Sequence, residues 1–209
     1  MDFATEVIES VPANKYPHPI FDVIKLFSRR IQTQYLLNVI ESDIRLPNLL
    51  PGEFLFETFE KITEDDKSMN DLLIPTQWDS ILQLKSDVIL PWPWERKRLK
   101  NTIIKIRKNG HFGNWRQDDN HRIDLWLPIG IAWVFSGNHS IATGIIQGTG
   151  EVKPEYVHDM SELYRYIKTD GEYYRRTKDE KIIAKVGNVE FAAIFEIGRL
   201  LLSLCIKFK

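Results

Sequence analysis

What most restricts the fold of this chain is an apolar strand that runs directly into a glycine turn and a helix. Residues 122–127 and 131–135 read as two strands around Pro128, Ile129 and Gly130. The second leads into Ser136, Gly137, Asn138, His139 and Ser140, after which residues 141–147 begin a helix that Gly148 closes. Strand patterning has a period of two and helix patterning one of about 3.6, so the switch at this turn calls for a sheet with a helix laid on it. The turn is also built to meet an anion. A helix N-terminus presents unpaired amides and the positive end of its dipole, and a glycine lets the backbone approach a phosphate with no side chain between. Gly137 supplies that approach, and Asn138, His139 and Ser140 add donors beside it. The plainer alternative is that Ser136 or Asn138 simply caps the helix.

The flanking segments predict an α+β fold. Ile20, Ile24, Phe27, Ile31 and Tyr35 recur at helical spacing after Pro17-His18-Pro19, which gives an amphipathic helix up to Glu41. Further helices are predicted over residues 53–62 and 77–84, on either side of a polar loop at 63–68. Residues 1–86 then form a mostly helical N-terminal region packed on the core, and residues 87–209 the α+β domain. In the latter, Val88-Ile89-Leu90 is a short strand stopped by Pro91-Trp92-Pro93-Trp94, and a basic helix over residues 95–108 ends at an Asn109-Gly110 C-cap. Beyond the turn come a strand at 156–158, a helix at 160–167 and a turn at Asp170-Gly171. Residues 182–186 form either half of a hairpin or a strand followed directly by the last helix.

The order strand, Pro-containing turn, helix, strand pair, glycine turn and helix resembles the ParB/sulfiredoxin superfamily over about residues 87–148. Phe135-Ser136-Gly137-Asn138-His139-Ser140 is similar to the Phe-Gly-Gly-Cys-His-Arg signature of sulfiredoxins, and Gly137-Asn138-His139 to the Gly-Asn-His-Arg form of ParB-like domains. The resemblance implies a mixed sheet with helices and a nucleoside triphosphate, with Mg2+, held by residues 136–140. It also makes Glu95, near the first strand-helix junction, a candidate base, so that hydrolysis or transfer would be carried by Glu95 and His139; the plainer alternative is that Glu95 only caps the helix it heads, stabilised by the dipole. Two departures narrow this. Asn138 stands where sulfiredoxins have their catalytic cysteine, which removes sulfinic acid reduction. Ser140 stands where the superfamily has an arginine, which removes the bidentate phosphate clamp, so a base must come from elsewhere.

The basic helix is the nearest source. Arg96, Lys97, Arg98, Lys100, Lys105, Arg107 and Lys108 accompany one acid, Glu95, and Arg96, Lys100 and Arg107 share a face. Arg96, Lys97, Lys100, Arg107 and Lys108 are the candidate DNA contacts, with Trp92, Trp94 and Trp115 available for stacking. A solvated outer face is the alternative. Nothing global pulls toward nucleic acid, because 28 Lys and Arg balance 29 Asp and Glu. Cys205 is the single cysteine, which excludes an intrachain disulfide and a cysteine-built zinc site and suits a cytoplasmic setting; its apolar surroundings predict a small core residue. His18, His111 and His158 lack zinc spacing.

Asp118, Asp119 and His121 can be read as ligands for a divalent metal, or as a plain polar loop, and Asp118, Asp119 and Asp124 together as a metal-dependent nuclease that lacks Lys and Glu partners. His158 and Asp159 can pair as an oriented base, or Asp159 can cap a helix with Glu162. The first residues lack a signal peptide pattern, so export is not expected. Residues 191–206 are apolar but interrupted by Glu196, Gly198 and Arg199, and they fall short of the roughly 20 residues of a membrane span. They read as a buried or homodimer-forming helix, with no membrane association. Two functions follow: a ParB-like nucleotide-binding protein that also binds DNA, or a non-catalytic interaction module of defence or counter-defence type.

Overall fold

The computed structural model describes residues 2–47, 49, 51 and 54–209. It begins with α1 (Asp2–Glu9), α2 (Ile20–Glu41) and α3 (Met69–Leu72), then the short strands β1 (Ile74–Pro75) and β2 (Leu82–Gln83). β3 (Val88–Leu90) leads into α4 (Arg96–Lys105), and β4 (Ile123–Leu127) pairs antiparallel with β5 (Ile131–Val134), from which α5 (Asn138–Gln147) departs. There follow β6 (Glu151–Val152), β7 (Tyr156–Asp159), α6 (Leu163–Tyr166), β8 (Ile167–Thr169), β9 (Tyr173–Arg176), β10 (Ile182–Lys185) and α7 (Val189–Ser203). The fold is α+β, around a mixed five-stranded sheet of order β1-β7-β4-β5-β3. β3 runs parallel to β5 and β4 parallel to β7. β8, β9 and β10 form a separate antiparallel sheet, and β2 pairs with β6.

The central strands are buried on both faces, which is why β3 and β5 read as unbroken apolar runs and β4 is interrupted only by the buried Asp124. Val88, Leu90, Trp126, Ile131 and Trp133 face one way, into a core shared with α2 and α7. Ile89, Ile123, Leu125, Ala132 and Val134 face the other way, against Ile141 of α5, Trp115 and Ile106. Gln32 of α2 fixes the first layer to the sheet edge, its Nε2 donating to Ile89 O at 2.8 Å. The face of α7 that carries Phe191, Ile194, Phe195 and Leu201 is buried, so these apolar residues are occupied within the chain. β10 leads directly into this helix across Asn188, whose Oδ1 accepts from Phe191 N at 2.7 Å. Among the described residues no helix is long and apolar enough to cross a membrane.

Several local expectations fail for identifiable reasons. The helix over 53–62 does not form among the described residues, Glu53 lying outside them. Phe54, Leu55 and Phe56 are all buried, and three consecutive residues on a helix cannot face one core, so the chain turns instead. Residues 77–84 are not helical either: Leu82 and Leu84 are buried with Gln83 exposed, the alternation of a strand, and β2 forms there. The helix predicted at 160–167 reduces to the single turn α6 before β8 takes over. α4 stops at Lys105, because Ile106 is extended and bridges Gly113. Gly110 is therefore no C-cap; a Cβ there would lie 2.3 Å from Lys105 O, so glycine permits a close return of the chain. Cys205 is exposed rather than in the core, just beyond the end of α7.

Candidate functional site

The backbone of the glycine turn is set by two bonds and one conformation. Phe135 N and Ser136 N both donate to Arg122 O, at 3.0 and 3.3 Å. Gly137 then takes φ +79°, and a Cβ on it would lie 2.5 Å from His121 Cδ2 and 3.0 Å from Asn120 O, so both conformation and space require glycine. The first bond of α5 is Ile141 N to Gly137 O at 3.0 Å, and no side chain caps the helix. The amides of Asn138, His139 and Ser140 thus have no protein acceptor among the described residues, and they sit at the positive end of the helix dipole.

The side chains of the turn are committed to holding it. Asn138 is buried, and its Oδ1 accepts from Trp92 N at 2.7 Å. His139 Nε2 accepts from Glu95 N at 3.3 Å, which leaves the ring proton on Nδ1, and the ring packs edge-on against Trp94 at 4.6 Å. Burial, with the Arg98 charge nearby, lowers the His139 pKa to about 4, so the ring is neutral at pH 7. Ser136 Oγ donates to Asn120 Oδ1 at 2.8 Å. Ser140 Oγ donates to Gly137 O at 3.0 Å and meets His121 Nε2 at 2.5 Å.

Residues 136–140 line a cleft of about 500 Å³, roughly twice the volume of the about 240 Å³ cleft between α2 and Phe208. One wall is α4 and its approach, with Trp94, Arg98 and Thr102 at four-residue steps. The Arg98 guanidinium lies 5.3 Å from the centre of the Trp94 ring. The opposite wall is the loop carrying Phe112, Trp115, Arg116 and Asp118. Trp115 is buried there, its Nε1 donating to Ser140 O at 2.7 Å. Two arginines and one carboxylate therefore face the cleft.

A family model described as a family of unknown function, DUF6710, matches residues 1–208. The chain belongs to the DUF6710 family. No curated protein and no solved structure matches it.

In this DUF6710 protein the sequence-predicted residues are only partly brought together. Residues 136–140 converge on the cleft, but through their backbone more than their side chains. Glu95 occupies the N-cap position of α4 without a side-chain cap, and its carboxylate pairs with Arg45 at 3.3 Å rather than lining the cleft; its only hydrogen bond to His139 among the described residues is through its amide. Arg96 pairs with Asp43 at 3.2 Å, and Arg107 Nε donates to Ile103 O at 3.1 Å. Lys97, Lys100 and Lys108 are exposed with no ion pair among the described residues. Trp92 offers no ring face to a ligand, since it is buried and stacked on Phe54 at 5.3 Å, whereas Trp94 and Trp115 do line the cleft.

The metal constellations do not assemble. His121 Nδ1 accepts from Asp118 N at 2.8 Å and Nε2 faces Ser140, so both ring nitrogens are engaged. Asp124 is buried and bonds His158 Nδ1 at 2.7 Å and Trp126 Nε1 at 3.0 Å. That burial raises the Asp124 pKa against the opposing pull of His158. His158 therefore pairs with Asp124 and not with Asp159, whose Oδ1 accepts from Ser161 N at 2.8 Å. Among the described residues no three His, Cys, Asp or Glu side chains are grouped to hold a metal ion.

Sequence reasoning missed Arg116 and the role of the loop before β4. Asp118 to Arg122 looks like a misplaced copy of the phosphate motif, and only the fold lays His121 under Gly137. The available signal was two aromatic residues, Phe112 and Trp115, in a loop otherwise polar.

Proposed function

We propose that the protein binds a nucleotide through its phosphates at the first turn of α5. The observation that carries this reading is the set of three acceptor-free amides, of Asn138, His139 and Ser140, on a cleft that also bears Arg98 and Arg116. Phosphate oxygens accept from such amides, and the two guanidinium groups offset charge that the neutral His139 leaves uncompensated. They stand in for the arginine that Ser140 replaces. Trp94, half-buried on the cleft wall, offers a ring edge or face to a base, which distinguishes a nucleotide from inorganic phosphate, while the buried Trp115 backs the site.

The passage of β3 into α4, and of β5 through Gly137 into α5, with β3 parallel to β5, supports a ParB-like arrangement of this site. A nucleoside triphosphate is the favoured ligand class, with Mg2+ carried on its phosphates rather than in a cage of protein ligands. DNA is a second ligand on this reading, supported by Lys97 and Lys100 on α4 and Lys108 just beyond its end, none of them in an ion pair among the described residues. Thermal melting with each of the four common nucleoside triphosphates and Mg2+ tests the proposal. A ligand present at about 100 times its Kd stabilises by about 2.7 kcal/mol, or roughly 5–10 °C for a chain of this size. No shift with any of the four removes the nucleotide.

A further inference from the structure

Phosphate binding leaves one cluster in the cleft unexplained. Ser140 Oγ lies 2.5 Å from His121 Nε2, and on the other side of the ring Nδ1 lies 3.0 Å from Asp118 Oδ1. A hydroxyl, an imidazole and a carboxylate in this order are the parts of an activated nucleophile. The hydroxyl is half-buried on the cleft, the ring is buried, and the amides of the same helical turn stand beside the hydroxyl.

We infer that Ser140 is a nucleophile toward phosphorus, with His121 as its base and Asp118 orienting the ring, which makes the protein a phosphoester hydrolase; the inference rests on the phosphate reading above. Phosphorus is favoured over an acyl carbon because of the charge present. A tetrahedral acyl intermediate develops one oxyanion, whereas Arg98, Arg116 and three amides suit a phosphoryl group with several anionic oxygens. His139 is not the base, because among the described residues its ring makes no hydrogen bond to the Ser140 hydroxyl, which meets His121 Nε2 instead.

The resting hydrogen bonds hold the hydroxyl in reserve. Asp118 N donates to His121 Nδ1 at 2.8 Å, so Nε2 carries the ring proton and donates to Ser140 Oγ, whose own proton goes to Gly137 O. Attack uses the other tautomer, with Nδ1–H on Asp118 Oδ1 and the Nε2 lone pair facing the hydroxyl. Burial keeps His121 neutral, opposed by the Asp118 charge, and that same charge stabilises the imidazolium once it forms. In the first step Ser140 Oγ bonds phosphorus while the ester P–O bond breaks. The serine proton passes to Nε2 and from there to the departing oxygen. In the second, water gives its proton to Nε2 and attacks the phosphoserine; phosphate leaves, and the proton returns to Ser140.

The test uses the full chain, with a fluorophosphonate probe followed by peptide mass mapping, and turnover of p-nitrophenyl phosphate and bis(p-nitrophenyl) phosphate. The expected result is a phosphonyl adduct on Ser140, with turnover of at least one ester. Ser140→Ala abolishes the adduct and lowers turnover more than about a thousand-fold. It retains nucleotide binding, because the amides remain. Asp118→Asn removes a negative charge from the cleft at an exposed side chain, so nucleotide affinity, measured beside turnover, stays equal or rises and a fall in turnover is not a fall in binding. Turnover of that variant drops at least about tenfold, and the ascending limb of its pH–rate profile moves to lower pH, since the charge that raises the His121 pKa is gone. An unlabelled Ser140 in protein that binds nucleotide, or turnover unchanged by Ser140→Ala, overturns the inference and leaves nucleotide binding standing. Loss of nucleotide binding in the native chain overturns both.

Discussion

Replacing Gly137 by alanine isolates what the turn demands, and Gly171→Ala supplies the control. Both glycines are left-handed, at φ +79° and +87°. At Gly171 a Cβ meets nothing within 4 Å, so alanine there costs only the conformational penalty, about 1 kcal/mol. At Gly137 the added carbon lies 2.5 Å from the His121 ring and 3.0 Å from Asn120 O. The ring cannot retreat, since it packs on Trp115 at 5.0 Å and is tied to Asp118 and Ser140. Overpacking of this kind adds about 1–3 kcal/mol. The total is about 3 kcal/mol, or roughly 6–12 °C in Tm, against about 2–4 °C for the control. Urea unfolding followed by tryptophan fluorescence, with a thermal melt of each variant, measures both. Equal losses in the two variants refute the reasoning, because they mean that His121 does not occupy the space beneath Gly137.

Arg98→Ala is expected to weaken nucleotide binding about tenfold, read by calorimetry, with Tm unchanged because the side chain is exposed; unchanged affinity takes Arg98 out of the site. His139 titrates near 4 when folded and near 6.5 when unfolded, so between those values the unfolded chain binds a proton that the folded chain does not. Stability from this group is complete above about pH 6.5 and falls toward pH 4 by about 3 kcal/mol. Urea midpoints at pH 7 and 4.5 show the fall, and His139→Gln shows less of it; equal falls count against a buried neutral ring. Asn188→Ala removes the cap of α7 and costs about 1 kcal/mol, whereas a loss below a few tenths means that Asn188 Oδ1 does not cap it. Phe195→Ala, in the buried face of α7, costs about 3–5 kcal/mol; a well-folded variant of altered oligomeric state shows instead that this face meets another chain.

The sheet and its turn were legible because their patterns are local. β3, β4, β5 and α5 follow from short apolar runs and one glycine, and α2 from a long helical period. Residues 54–56 were not legible, since three consecutive apolar residues have no period and take their shape from the core they enter. β8 and β9 escaped for a related reason, although the strand at 182–186 is legible: β9, Tyr-Tyr-Arg-Arg, has only Tyr174 buried, so its place comes from cross-strand pairing. At the site, the sequence shows which backbone can meet an anion but not which side chains are already bonded. Asn138 and His139 look like donors, and the fold turns both toward the β3–α4 connection. Arg98 and Arg116 are two cations among many until the fold lays α4 and the loop before β4 on opposite sides of one turn.

The most direct test of the central claim follows the backbone amides of Asn138, His139 and Ser140 in 1H–15N spectra while a nucleoside triphosphate with Mg2+ is added. Saturable downfield shifts are expected at these three amides, as phosphate oxygens become their acceptors, with Gly171 unmoved. Saturable binding that leaves all three in place, or no binding at all, contradicts the claim.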